Sequence, residues 1–453
     1  MKRNACTVRR SSATRRGSVI IVIIWAISIC ALLVTSLMVF AGRQSMLGHE
    51  TVDRIRARWA ARAGVESTLA VMGHHTEEPE IDHALAMNLD MEVVAAGETD
   101  HGTWSILYDD LDGQRWPGPM DEHMKLNVNG DGRGYIAVIF SPLSWGVAPA
   151  IEDWIDEDDD PRDLGVERDY YLSLDARYEP RNDYLWHIAE LELIAGLDPE
   201  DIRGEDWNLN NRLDENEDDG DGSLPEDEPD NRLEGGWAAY LTASTIADGA
   251  TASGLPRLYF PATTVEELAE RTGLQPSQAE ALMNMAKEDG FELESLITTP
   301  LGVEADEDGG GPGSSASSGD SSVPPLEDWQ ITAIFDETTT NKPHQQAVGK
   351  LNINTVPRTL LLDMYTGQED LVENILSMRR NRAEGITSIM DLRELPGMTD
   401  DLLWQLARTF TTRSNVYTIT SRGRSGSSGA EVEIVTTVDR STVPVRILEY
   451  REE

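Results

Sequence analysis

The chain has few basic residues for its length. Of its 453 residues, 38 are Lys or Arg and 81 are Asp or Glu, which gives a formal net charge of −43. Because phosphate binding needs clustered Lys and Arg, this balance excludes nucleic acid as a partner. It suits cations and a solvated, exported surface instead.

Cysteine and catalytic motifs are also scarce. Cys6 and Cys30 are the two cysteines, one in a basic N-terminal stretch and one in the apolar run behind it, so no intramolecular disulfide can staple the exported part. The sequence has no G-x-S-x-G, no H-E-x-x-H and no phosphate-binding loop. The chain is therefore predicted not to be an enzyme.

One long hydrophobic run is present, at residues 18–41. It carries no charge, and at about 1.5 Å per helical residue it reaches about 36 Å, enough to cross a bilayer. The leader before it, residues 1–17, contains basic residues and no acid. This predicts that the leader stays in the cytoplasm while the rest of the chain is exported.

Three interpretations of this N-terminus compete. A cleaved secretory signal would end at Val39 and Ala41, but its apolar core would exceed the about 7–15 residues typical of such signals. A plain signal anchor is the second. The third is a prepilin-type leader cut between Gly17 and Ser18, an arrangement that resembles the type IV pilin and pseudopilin class. Such leaders usually carry Glu five residues after the cut, where this chain has Val22.

The predicted fold class is α+β, with a long N-terminal transmembrane helix packed on an antiparallel sheet. Helical spacing continues to about Met72, so the membrane helix is expected to extend into water as an amphipathic rod. A helical block separates two groups of strands, and we expect these groups to join in one sheet. Strand patterns occur at 103–108, 123–128, 416–420, 431–438 and 443–450.

The domain boundaries follow from these patterns. They are a leader (1–17), an N-terminal helix (18–75, with 18–41 in the membrane), a first part of the sheet (76–136), an inserted α-helical domain (137–413) and C-terminal strands (414–453). Within the insert, 264–289 is predicted as two short helices that begin at Thr264 and Pro276. The Gly, Ser, Asp and Pro-rich stretch 304–325 is predicted as a flexible linker.

Two parts of the insert resemble one another. Residues 188–202 align with 389–403, and each copy lies downstream of a Lys-Leu-Asn-x-Asn string. Chance and generic helix–turn–helix patterning are the alternative to a duplication. Residues 392–409 also resemble a helix-hairpin-helix unit. Because Asp400 and Asp401 would repel phosphate there, we expect this hairpin to pack against protein.

The sharpest candidate site is the acidic loop 206–217. Its residues match the ligand positions of a calcium-loop template at Asp206, Asn208, Asn210, Arg212 (through its carbonyl), Asp214 and Glu217. Asn211 stands where Gly is usual, and Asn tolerates a left-handed backbone best after Gly. Oxygen ligands without Cys or His favour Ca²⁺ as the cofactor over Zn²⁺. A disordered acidic run is the alternative.

A second acidic cluster lies at 152–171. Asp156, Asp158 and Asp160 alternate as cation ligands often do, but no bidentate Glu closes the cluster at template spacing. A solvated loop anchored by Trp154 and its neighbouring tyrosines is the alternative.

Several separated strings together resemble the type II secretion minor pseudopilin K family. EDWIDEDDDPRDLGVERDYY resembles the family's Asp-Trp-Ile-Asp-x-Asp and Gly-x-Glu-x-x-Tyr-Tyr pattern, and DYLWHIAELELIAGL resembles the Glu-Leu segment that follows it. KLNVN and KLNINTVP match its Asn-x-Asn strings. The match covers most of 17–420, while the acidic loop and the linker 304–325 depart from the family by their size.

The resemblance implies a pilin-like fold with a large inserted helical domain. It implies cleavage after Gly17 by a prepilin peptidase, methylation of the new N-terminus, and an inner-membrane location with the bulk of the chain in the periplasm. The implied partners are two smaller minor pseudopilins (I and J type), the major pseudopilin and secreted proteins.

The family shares the missing Glu at the position of Val22. In pilin-like fibres that Glu pairs with the N-terminal amine of the subunit above, so its absence implies a place at the fibre tip. There the protein would prime or cap assembly for export across the outer membrane. The alternative is a single-pass, membrane-anchored periplasmic Ca²⁺-binding interaction protein outside any pilus.

Overall fold

The structure is a computed structural model and describes residues 17–80, 82–130, 133–140, 146–225, 227–247, 251, 253–288, 290–301, 323–342 and 347–453. Residues 1–16 of the predicted leader and 304–322 of the predicted linker lie outside the described residues. The α-helices are α1 (Gly17–Glu77), α2 (Ala86–Val94), α3 (Arg133–Ile139), α4 (Val147–Ile155), α5 (Arg168–Ser173), α6 (Pro199–Arg203), α7 (Val265–Thr272), α8 (Pro276–Met285), α9 (Asp328–Glu337), α10 (Arg358–Met364), α11 (Glu369–Asn381) and α12 (Asp400–Thr409). The strands are β1 (Ala96–Thr99), β2 (Gly102–Asp109), β3 (Arg115–Pro117), β4 (Met120–Asp121), β5 (Leu126–Asn127), β6 (Leu241–Thr242), β7 (Leu258–Tyr259), β8 (Thr338–Thr339), β9 (Leu351–Asn352), β10 (Phe410–Thr411), β11 (Val416–Ser425), β12 (Glu431–Asp439) and β13 (Arg446–Glu452).

Strands from both sides of the insert form one antiparallel sheet, as the sequence predicts. Its order is β1-β2-β11-β12-β13, with β3 paired to β2 and β4 paired to β11. Strands β2 and β11 are direct neighbours, with Ile106 beside Ser421, although the whole insert separates them in sequence. With the long helix α1 and the additional helices, this confirms the α+β fold class.

Helix α1 lies close to one face of the sheet because small residues meet there. Ala57, Ala60 and Ala61 are fully buried, and Ser421 Oγ donates a hydrogen bond to the Ala61 carbonyl at 2.8 Å. A Cβ added to Gly423 of β11 would lie 2.0 Å from the Ala57 carbonyl oxygen. Position 423 therefore needs glycine for the backbone of the strand to approach the helix.

The predicted strand at 123–128 is wrong over most of its length, because only Leu126 and Asn127 form a strand. Asp121 Oδ1 accepts a hydrogen bond from His123 N at 2.9 Å and opens a 3₁₀ turn at Glu122–Met124. The chain then enters the two-residue strand β5, which pairs in parallel with β6 rather than with the main sheet. A side chain that bonds to the nearby backbone has replaced the ladder that the apolar alternation predicted.

The insert enters and leaves the sheet at neighbouring points. Strand β4 precedes it and β11 follows it, and the two pair through Asp121 and Tyr417. The buried Asp121 carboxylate accepts hydrogen bonds from Thr355 and Ser414, both at 2.6 Å. These bonds tie the root of the insert to the last strands of the helical block.

Two units of the insert share the same asparagine-centred hydrogen bonds. In the first unit, Asn129 accepts from the Leu185 N–H at 2.8 Å and donates to its carbonyl at 2.9 Å. In the second unit, Asn354 binds Ile386 in the same two ways, at 2.8 and 2.9 Å. A parallel pair closes each unit, β5 with β6 and β9 with β10. This pattern supports the predicted duplication.

A smaller apolar cluster is built on α7, α8 and α9. The helices α7 and α8 begin where the sequence predicts: Thr264 Oγ1 accepts from Glu267 N at 3.2 Å, and Pro276 opens α8. In the helix-hairpin-helix-like segment, Leu403 and Leu406 of α12 are fully buried. Both belong to the apolar core of the insert.

Candidate metal centre on the sheet

The acidic loop 206–217 follows α6 and lies on the face of the sheet opposite α1. Side chains alternate along β11, so that Ile419 packs beneath α1 while Thr420 and Arg422 point toward the loop. Thr420 Oγ1 donates to the Asn210 carbonyl at 2.9 Å, and Arg422 forms an ion pair with Asp214. The loop is therefore a contact between the insert and the sheet.

Neighbouring strands complete this contact. The Asp109 N–H of β2 donates to the Asn211 carbonyl at 2.8 Å, and Leu213 N donates to the Asp109 carboxylate at 2.8 Å. From β12, Glu433 Oε1 accepts from Asn210 Nδ2 at 2.8 Å, and Arg451 of β13 donates to the Leu209 carbonyl at 2.8 Å. The loop is thus joined to four strands of the sheet by hydrogen bonds and an ion pair.

Inside the loop, the structure brings most of the predicted ligands into direct contact. Asn208 Nδ2 and Asn210 Nδ2 donate to Asp214 Oδ2 at 3.2 and 3.0 Å. The Asp206 carboxylate accepts from the N–H groups of Asn210 and Asn211, both at 2.9 Å. Glu217 bridges the beginning and the end of the loop, since its carboxylate accepts from Trp207 N at 3.2 Å and from Asp214 N at 3.0 Å.

The electrostatics of the loop favour a bound cation. Asp206 and Glu217 are 2% and 1% exposed. Burial raises the pKa of Asp206 to about 6, and burial followed by repulsion from Asp206 raises the pKa of Glu217 to about 8. A positive charge among these carboxylates would remove both effects.

The donor set fits Ca²⁺. Asp206, Asp214 and Glu217 supply carboxylate oxygens, and Asn208 and Asn210 supply amide oxygens, which are the hard ligands that Ca²⁺ takes. Asn211 adopts φ +56°, the left-handed conformation for which the template uses Gly. When bound, Ca²⁺ would supply positive charge and crosslink the two ends of the loop.

The side chain of Arg212 lies in an unfavourable environment for a charged group. The sequence predicts only its backbone carbonyl as a ligand, and its guanidinium is partly buried. Two of the guanidinium nitrogens, Nε and Nη1, have no hydrogen-bond partner among the described residues. Burial lowers the pKa of Arg212, and repulsion from Arg422 adds to this.

Sequence reasoning missed the groups outside the loop that hold it. Asp109, Arg422 and Glu433 lie far from the loop in sequence. The sequence marks each of them only as a charged residue within a strand. Lys125, in the first Lys-Leu-Asn string, was also missed: its Nζ donates to Asn211 Oδ1 at 2.6 Å, and burial lowers its pKa. The first Lys-Leu-Asn string therefore contacts the acidic loop through Lys125 and the core of its own unit through Asn129.

The N-terminal candidate residues lie at the start of α1. Gly17 and Ser18 are its first two residues. Within the described residues, Val19–Glu77 is a helix long and apolar enough to cross a membrane, and Val22 in it is 66% exposed. The structure brings none of these residues near the acidic loop.

Comparison with known proteins gives one sequence match and one structural similarity. Residues 143–204 match the family described as type II secretion system (T2SS), protein K. No curated protein matches the chain. A solved structure described as the GspK-GspI-GspJ complex from the enterotoxigenic Escherichia coli Type 2 Secretion System is 12% identical, with 91% of this chain and 99% of that chain covered and a TM-score of 0.46. So low a similarity adds nothing to the fold described above, whereas the sequence match confirms the resemblance to the protein K family over residues 143–204.

Proposed function

We propose, from the match of residues 143–204 to the type II secretion protein K family, that the chain is the minor pseudopilin at the tip of a type II secretion pseudopilus. In this role, α1 anchors it in the inner membrane and its bulk lies in the periplasm. It primes or caps a fibre that serves protein export across the outer membrane. It has no catalytic task.

The observation that carries this proposal is α1 itself. It continues without a break from an apolar, exposed segment into a segment that packs closely on an antiparallel sheet. A helix of this kind anchors a subunit in the membrane at one end and joins it to a fibre along its length. A prepilin peptidase would cut between Gly17 and Ser18, where the basic leader meets the apolar run, and methylation would follow at Ser18.

Val22 supports the place at the tip. In an apolar helix bundle, a Glu at this position and the terminal amine of another subunit would compensate two costly charges. With Val22 that pair cannot form, so the subunit does not dock beneath another. The large insert between β4 and β11 adds a second obstacle to stacking.

Crosslinking from residue 22 tests this position. We expect wild-type protein to crosslink at the tip only. Val22→Glu combined with deletion of the insert should also appear along the shaft, whereas Val22→Glu alone should stay at the tip. Wild-type protein found along the shaft as often as at the tip would refute the capping role.

The exposed face of α1 supplies a surface for the two other minor pseudopilins and the major pseudopilin. Val52, Ile55 and Trp59 are 45%, 49% and 61% exposed and follow one another at helical spacing. An apolar stripe of this kind fits a second helix. Trp59→Ala should weaken co-purification with the minor pseudopilins. Trp116→Ala, at a 42% exposed Trp on β3, is the matched control and should not.

We further propose that the loop 206–217 binds Ca²⁺ in the periplasm. The buried carboxylates, the oxygen donor set and the left-handed Asn211 support this. Because four strands receive the loop, bound Ca²⁺ would fix the insert on the sheet. The insert would then keep a fixed orientation on the sheet when the tip contacts a secreted protein or the outer-membrane channel.

The second candidate function is a single-pass periplasmic Ca²⁺-binding protein outside any pilus, which the same loop and helix allow. A mass measurement on protein extracted from the membrane separates the two. Loss of residues 1–17 supports the pseudopilin, and an intact leader supports the anchor. An N-terminus at Gly42 would contradict both, because it would show an ordinary signal peptidase cut.

A further inference from the structure

A groove of about 520 Å³ lies on the insert between α9 and the 3₁₀ helix Ile389–Glu394. Its lining combines the exposed indole of Trp329, the buried side chain of Met390 and four charged side chains. Thr332 Oγ1 lies 2.6 Å from Ser388 Oγ, and this hydrogen bond joins the two elements. The groove therefore runs along the contact between the α7–α9 cluster and the second unit of the insert.

The indole of Trp329 is held in place although 54% of the residue is exposed. Its Nε1 donates to Glu327 Oε2 at 2.6 Å. A Cβ added to Gly273, at the C-terminal end of α7, would lie 2.9 Å from Cζ3 and 3.1 Å from Cη2 of the ring, so the far edge of the indole rests against that backbone. Because the ring is already fixed, a molecule that binds to it loses little affinity to ordering of the side chain.

Trp329 has no cation over its ring, unlike most other exposed tryptophans outside the membrane segment. Three of the others carry an Arg of the same chain at 4.6 to 5.8 Å from the ring centroid: Trp59 with Arg62, Trp186 with Arg181, and Trp207 with Arg203. No Lys or Arg lies over Trp329 anywhere in the part of the chain that the structure describes. Since Trp offers the best aromatic face for a cation, this indole is available to a cation from another molecule.

The charges around this ring are mostly negative. Four carboxylates line the groove or bind the Arg at its side: Asp328, Asp391, Glu394 and Asp400. Arg393 forms ion pairs with Asp328 and, at 2.9 Å, with Asp400. Arg382 binds the other two carboxylates at 2.8 and 2.7 Å. Four carboxylates against two guanidinium groups leave two negative charges beside the open indole.

We infer that this groove binds a basic segment of a partner protein, with an Arg or Lys side chain over Trp329. The ring attracts the cation to its face, and the carboxylates accept hydrogen bonds from its N–H groups. Met390 and the indole contact the methylene groups of the same side chain. Arg should bind better than Lys, because a planar guanidinium stacks on the ring and pairs with a carboxylate together.

The net charge of the whole chain supports a basic partner. At −43, the chain attracts positively charged segments over a long range, and complementary charge then fixes which surface they meet. The groove lies far in sequence from the loop 206–217 and from α1, so this inference goes beyond the proposed function and holds for either of the two candidate functions.

Photo-crosslinking of the detergent-extracted full chain to a short peptide tests the groove. The probe is Gly-Ser-Bpa-Arg-Ser-Gly, where Bpa is p-benzoylphenylalanine, and the matched probe has norleucine in place of Arg. Both are used in about 0.15 M NaCl, which screens charges more than about 8 Å apart. We expect mass spectrometry to map the Arg probe to residues 327–332 and 389–394, in about fivefold higher yield than the norleucine probe. Equal yields would assign the groove to an apolar segment and overturn the inference.

Two variants test the residues themselves. Trp329→Ala should lower the yield of the Arg probe at 389–394 by about three- to fivefold. Glu394→Gln, at a side chain that is 69% exposed and does not carry the fold, should lower it by about twofold. Trp116→Ala, at an exposed Trp on β3, and Glu215→Gln, which makes the same charge change on an exposed residue elsewhere, are the controls and should keep the wild-type yield. An unchanged yield in Glu394→Gln, or in Trp329→Ala if it folds, overturns the inference, as does an equal loss in a control.

Discussion

Replacing Glu217 by Gln should change the stability of the chain in opposite directions with and without Ca²⁺. Glu217 is 1% exposed and accepts hydrogen bonds from two backbone N–H groups at the ends of the loop. With Ca²⁺ bound, it is the predicted bidentate ligand. Without Ca²⁺, it is a buried carboxylate next to Asp206.

The cation-free effect follows from the pKa of Glu217, which rises from the ordinary 4.5 to about 8. Because the folded value is the higher one, the benefit of protonating Glu217 is fully present below pH 4.5 and is lost as pH rises through 8. The ionised carboxylate then costs at most roughly 5 kcal/mol. Gln avoids this cost but turns an amide toward backbone donors, which costs about 1–3 kcal/mol. Cation-free Glu217→Gln should therefore be about 2–4 kcal/mol more stable than wild type at pH 8.

Bound Ca²⁺ reverses the order once it is in large excess. A single site stabilises the fold by about 2.7 kcal/mol at a hundredfold excess over Kd and by about 4.1 kcal/mol at a thousandfold excess, which is needed to outweigh the cation-free cost of the ionised Glu217. Wild type should gain this amount and Glu217→Gln should lose most of it, because it lacks the bidentate carboxylate.

Thermal melts of the detergent-extracted chain at pH 6 and pH 8, each with Ca²⁺ and with chelator, measure both effects. Glu215→Gln, at an exposed residue of the same loop, is the control and should behave as wild type. Coincident wild-type melts with Ca²⁺ and chelator would show that the loop is a solvated acidic run, and the reasoning would be wrong.

Two further predictions concern the insert and α1. Asn354→Ala should destabilise the chain by about 3 kcal/mol, because it leaves the buried Ile386 N–H and carbonyl without partners. Urea unfolding measures this, Asn129→Ala should match it, and the exposed Asn381→Ala should stay within about 0.5 kcal/mol of wild type. Gly423→Ala should cost at least about 2 kcal/mol, because its Cβ would meet the Ala57 carbonyl. In a thermal melt, Gly73→Ala, which has open space on α1, should instead be neutral or slightly stabilising, and equal effects of the two changes would contradict the close helix–sheet approach.

The sequence predicts those parts of the fold whose signals are local. The apolar run and its amphipathic continuation predict α1, and strong alternation predicts β2, β11, β12 and β13. Thr264 and Pro276 predict the starts of α7 and α8 because capping needs only neighbouring residues. The strand at 123–128 fails because Asp121 redirects the backbone by one hydrogen bond.

The candidate site is predictable only in part. The spacing of Asp206, Asn208, Asn210, Asp214 and Glu217 is local, so the sequence shows it. The partners Asp109, Arg422 and Glu433 reach the loop through the fold, and no spacing encodes them.

The paired strands β4 and β11 have a mechanical consequence. A body joined to its support at one point can pivot about that point, and the insert enters and leaves the sheet beside two paired residues on each strand, Asp121 with Tyr417 and Met120 with Thr418. The loop 206–217 forms a second contact between the insert and the sheet, on β2, β11, β12 and β13. A force along α1 therefore reaches the insert through its root, through the loop 206–217 and through the Asp112 carboxylate after β2, which accepts from the Arg358 and Thr359 N–H groups. Separated contacts of this kind resist rotation of the insert about its root.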